Sequence, residues 1–163
     1  MITLTPDTKA CMSHLLLKDT FDSLSLIEGE ITTYNKFTVD GHIHKDFYEE
    51  APDREYSLWS ELRSYCLSII KGKRTPLDFK FVLSLSREDF TGFLEQEGQD
   101  GLPYRPEEIQ GLYMNLRYDG TRLVCVTGTS MNTFTMDKSL DEAWDRWVRA
   151  FYAKAGIAFE AGR

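Results

Sequence analysis

Apolar and polar side chains alternate most cleanly from Leu112 to Tyr118. Leu112, Met114, Leu116 and Tyr118 fall on one side, with Tyr113, Asn115 and Arg117 between them. Period two marks a strand with one buried face. Asp119-Gly120 follows, a pair that tolerates positive φ and favours a hairpin. A two-residue loop there would pair Tyr118 with Thr121 and continue the buried face through Leu123 and Cys125. Val124 and Val126 make the other face apolar as well, which predicts a central strand. After the Thr127-Gly128-Thr129-Ser130 bend, a further strand is expected near 131–136, then a long helix. Leu140, Trp144, Trp147, Val148, Phe151 and Tyr152 recur at i, i+4, i+7, i+8, i+11 and i+12, a single helical face. Burying them contributes roughly 1.5–3 kcal/mol each. Asp141, Asp145, Arg146 and Arg149 lie opposite. Ser139 and Glu142 have capping-box spacing, and Gly156 is a fitting stop.

The first half carries a weaker version of the same pattern. A short strand at 2–4 precedes Thr5-Pro6-Asp7, a good helix start, and that helix should run to about Lys18. Segments 31–39 and 42–48 read as a hairpin turning at Asp40-Gly41. A helix is then expected over 57–71, ended by Gly72. Its Leu58, Leu62, Tyr65, Cys66, Ile69 and Ile70 repeat the spacing of the later helix. Between the two hairpins, 79–85 reads as a strand. Ser86 caps a helix there, with Phe90, Phe93 and Leu94 on its apolar face. The expected fold is therefore α+β in one domain spanning 1–163, an antiparallel sheet with about four helices. A strand–helix–hairpin–helix unit repeats in halves of about 1–73 and 78–157, which suggests an internal duplication and a saddle- or clamp-like arrangement.

A chain of 163 residues can bury a substantial core in one domain. No apolar run reaches the length of a membrane span, and the first residues lack a basic-then-apolar leader, so the cytoplasm is the expected compartment. A net charge of −7 argues against a phosphate-binding surface and hence against nucleic acid. Lys71, Lys73 and Arg74 are read as cations at a helix C-terminus. Cys11, Cys66 and Cys125 are odd in number and lack C-x-x-C spacing, so buried structural thiols are expected.

The segments EITTYNKFTVDGHIHKDFY, IIKGKRTPLDFKFVLSLS and GLYMNLRYDGTRLVCVTGTSMNTFTMDKSLDEAWD together resemble a family of uncharacterised bacterial single-domain proteins. The family is a domain of unknown function, and the resemblance covers nearly the whole chain. It implies a standalone bacterial domain and carries no catalytic residue across.

Two segments have residues suited to chemistry. On a strand, His42, His44 and Asp46 would share a face, and two imidazoles with a carboxylate suit a divalent metal, the one cofactor the sequence suggests. Their placement depends on the turn. A two-residue loop sets His42 on the apolar face, whereas a three-residue loop with a bulge buries Phe47 and leaves both histidines in water. The second satisfies the core better. Thr127, Gly128, Thr129 and Ser130 form a hydroxyl-rich bend that suits the rim of a ligand pocket or a partner-binding edge, or simply a bulged strand. His14 stands alone in a helix. No nucleophile elbow, phosphate loop or paired carboxylates are visible. The expected function is a non-catalytic cytosolic binding or adaptor domain acting through its sheet surface or edge. The alternative is a small metal-dependent enzyme using His42, His44 and Asp46. Oligomeric state and partner are not legible.

Overall fold

The structure, a computed structural model, describes residues 1–97 and 102–162. Among these, β1 (Thr3–Pro6), α1 (Thr8–Leu16), β2 (Ser25–Thr32), β3 (Lys36–Asp40) and α2 (Trp59–Ile70) form the first half. The second holds β4 (Asp78–Ser84), α3 (Phe90–Glu97), β5 (Ile109–Tyr118), β6 (Leu123–Met131), α4 (Ser139–Ala155) and β7 (Phe159–Gly162). The seven strands make one antiparallel sheet in the order β3-β2-β4-β5-β6-β1-β7. The α+β expectation holds, with four α-helices among the described residues.

Alternation places the core on one face. Ile31, Phe79 and Tyr118 lie across neighbouring strands, as do Phe81, Leu116 and Cys125, and all are buried. α1, α2 and α4 close over this face through Cys11, Leu15, Trp59, Trp144, Val148 and Tyr152, joined in one apolar cluster. Trp59 does more than fill space. Its indole donates to the Leu15 carbonyl at 2.8 Å, satisfying an acceptor left open at the C-terminal end of α1. The reverse face carries half-exposed Tyr113, Asn115, Val124 and Val126 among charged neighbours such as Lys80 and Glu28, which form an ion pair at 3.6 Å.

The second hairpin lies where the alternation predicts, but its loop runs from Asp119 to Arg122 and pairs Tyr118 with Leu123 rather than Thr121. The Asp119 carboxylate accepts from the Thr121 and Arg122 amides, both at 2.9 Å, which favours the longer turn. Segment 132–138 is not a strand: it leaves the sheet and crosses to α4. α4 starts at Ser139, whose hydroxyl and amide both bond to Asp137, so Asp137 rather than Ser139 supplies the capping oxygens. Gly156 ends α4 with φ +77°.

In the first half the turn is misplaced by the sequence pattern. β2 begins at Ser25 and reverses at Thr33–Asn35, so Glu28 pairs with Asp40. Gly29 breaks the apolar alternation that would have revealed β2. Pro6 belongs to β1, and Asp7 caps α1 by accepting from the Ala10 amide. On α2, Trp59 is buried while Tyr65 is exposed. β7 is an edge strand beside β1 that the pattern does not announce. The strand order does not show the internal duplication or the saddle-like arrangement: β4 pairs with β5, whereas β1 lies apart from β2, between β6 and β7.

Candidate functional site

The C-terminal half of β6 faces the start of α4 because Thr127 and Thr129 alternate toward the core side while Gly128 points away. Thr127, buried, accepts from the Ile2 amide at 2.9 Å and donates to Asp145 at 2.5 Å. Thr129 donates to Asp141 one helical turn earlier. The two threonine–aspartate bonds pin α4 to the strand. Ser130 donates to Gln110 on β5 at 2.6 Å. The structure thus gathers Thr127, Gly128, Thr129 and Ser130 along one wall of a pocket of about 480 Å³, with Asp141 and Asp145 opposite.

The remaining wall is segment 132–138. Asn132 is held at one end, its side-chain amide donating to the Glu107 carbonyl at 2.7 Å. At the other end Asp137 accepts from the Tyr104 hydroxyl at 2.5 Å and from Ser139. The Tyr104 hydroxyl and then Ser139 hold the Asp137 carboxyl below the usual carboxylate range. Between these anchors Phe134 and Met136 are 92% and 82% exposed. The pocket as a whole carries Asp137, Asp141 and Asp145 against one lysine, Lys138, which sits 3.9 Å from Asp141, and the Met1 amino group, 3.4 Å from Asp145.

The histidine segment is differently built. His42 makes a single bridge with Tyr56, and Lys45–Phe47 is a 3₁₀ turn, so the strand periodicity that would align His42, His44 and Asp46 is lost. The imidazole of His42 faces Glu55 at 3.8 Å and that of His44 faces Asp40 at 3.8 Å. Asp46 is exposed, and so is Phe47, at 87%. Only Ile43 of this segment turns inward. Among the described residues no group of three or more His, Cys, Asp or Glu side chains is arranged to hold a metal ion.

The three cysteines are buried and free of disulfides. Burial pushes the thiols of Cys11 and Cys125 up to about 12 and that of Cys66 to about 11, which favours the protonated thiol over the thiolate. A second pocket, between the start of β2, the end of β4 and β5, was not signalled by any motif. Its walls come from four separated segments, each ordinary by itself. No described helix is long and apolar enough to cross a membrane.

A helix-backed antiparallel sheet with a hydroxyl-walled pocket and no motif of known chemistry defines an α+β domain of unassigned activity. The chain belongs to DUF5721, a family of unknown function, whose family model matches residues 14–160. No curated protein and no solved structure matches it.

Proposed function

We propose that the protein is a non-catalytic cytosolic binding domain, and that it contacts its partner through segment 132–138 and the pocket beside it. The observation that carries this reading is Phe134 with Met136, two large apolar side chains held outside the core on a segment anchored at both ends. Leaving them in water forgoes roughly 1.5–3 kcal/mol each relative to burial. Large apolar side chains on a backbone held in place are what interfaces use as anchors, because little backbone entropy remains to be lost. The adjoining aspartates, in a chain of net charge −7, favour a basic segment, so the partner contributes a peptide stretch with Lys or Arg beside an apolar residue.

A displayed random-peptide library selected on the intact protein tests this. Enriched peptides should be rich in Lys and Arg. They should bind the Phe134→Ser, Met136→Ser double variant at least tenfold more weakly, while that variant melts with the wild type. Peptides that bind both proteins equally, or a selection without enrichment, would overturn the reading.

A further inference from the structure

The second pocket opens on the sheet face opposite α4, with a volume of about 620 Å³, within the range of small-molecule sites. Its floor holds Ser25 and Ser84, both buried where the start of β2 pairs with the end of β4. The Ser84 hydroxyl is spent on the Leu85 carbonyl at 2.9 Å, whereas that of Ser25 has no hydrogen-bond partner among the described residues. Tyr56 and Tyr113 supply aromatic walls. Tyr113 lies back over Gly111, where a Cβ would overlap its ring and hydroxyl, so the glycine gives the ring its place. Neither phenol makes a hydrogen bond among the described residues. Burial pushes both phenols up, which keeps them as O–H donors.

Two guanidinium groups line the same pocket. Arg87 lies 4.9 Å over the ring of Phe90, and one of its nitrogens donates to the Ile109 and Gln110 carbonyls at 3.1 and 3.0 Å. Its remaining N–H groups are uncommitted among the described residues. Arg54 pairs with Glu61 through Nη2, while its Nε–H is sealed from water with no acceptor. An atom closed to water is closed to a ligand as well, so it is Arg87 that offers free donors to the pocket.

We propose that this pocket binds a small organic monocarboxylate with a flat apolar body, its oxygens received by the donors of Ser25, Tyr56, Tyr113 and Arg87. Planar guanidinium and phenol donors suit a carboxylate, and the tyrosine rings with Ile27 suit a flat body. The charge is limited to one by Asp53, Glu55 and Glu88, which stand exposed at the mouth and repel a phosphate or dicarboxylate. Two of them have partners of their own, Glu55 at 3.8 Å from His42 and Glu88 at 3.4 Å from Ser86. The site lies apart from segment 132–138 and does not depend on the reading given for it.

The test is amide NMR titration of the full chain with benzoate, phenylacetate and hexanoate, each beside its neutral amide. At least one aromatic acid should give saturable shifts at Ser25, Tyr56, Arg87 and Tyr113, binding at least tenfold tighter than its amide and tighter than hexanoate. Tyr113→Phe should weaken it about threefold to tenfold. If that variant unfolds, the acid–amide comparison on the wild type decides alone. Absence of saturable shifts at these residues, or acids and amides binding equally, overturns the proposal.

Discussion

At Asp119-Gly120 the chain reverses, and at Asp40-Gly41 it runs on. Gly120 takes φ +97°, a conformation that L side chains rarely adopt, and the Asp119 carboxylate organises the turn around it. Gly41 has no positive φ. Its amide donates to the Ile27 carbonyl at 3.0 Å, and a Cβ there would fall inside the Leu26 carbonyl oxygen. One glycine is present for its backbone angle, the other for the absence of a side chain. The same two letters thus serve a turn in one half and a close approach of two backbones in the other.

Gly41→Ala should be the more damaging change, because the obstacle is β2 backbone rather than a flexible side chain. A loss of roughly 3 kcal/mol is expected, read as a lower denaturant midpoint. Gly120→Ala should cost less, about 1–2 kcal/mol for an Ala held at positive φ. Its Cβ would also meet the Leu77 carbonyl at 2.9 Å. Equal losses in the two variants would mean that the close-approach account of Gly41 fails.

The smallest effect concerns the aspartate. The amides of Arg122 and then Thr121 hold the Asp119 carboxyl below the usual range. A lowered folded pKa stabilises the protein above the ordinary carboxylate value of about 4. That contribution is lost as the pH falls through the lower folded value. NMR titration should therefore give Asp119 a midpoint below that of a model peptide. Asp119→Ala should flatten the acid limb of the stability curve, and an unchanged limb would show that the turn gains nothing from the charge.

The comparison also explains what was legible in the sequence. β5, β6 and α4 could be read because their apolar residues keep strict period, from Leu112 to Cys125 and from Leu140 to Tyr152. β2 was hidden: Gly29 occupies a core-facing position against Phe81, which interrupts the alternation, and the true turn at Thr33–Asn35 contains no glycine. Asp40-Gly41 then drew the turn to itself. The hydroxyl wall at Thr127–Ser130 could be nominated because its residues are contiguous. The second pocket could not, since Ser25, Tyr56, Arg87 and Tyr113 meet only through the pairing of β2 with β4 and β4 with β5. The metal reading of His42, His44 and Asp46 needed a strand, and the chain makes a 3₁₀ turn there instead.

β1 lies between β6 and β7, and the Ile2 amide bonds to Thr127, 125 positions away. In vectorial synthesis at 5–20 residues per second, the first strand would wait on the order of ten seconds for its neighbours to emerge. During that interval its backbone donors and acceptors are open, and β6, once made, has a bare edge until β1 arrives. β1 therefore cannot complete its pairing until both β6 and β7 have been made. Contacts of such long sequence separation go with slower folding, whatever the local propensity of Thr3–Pro6.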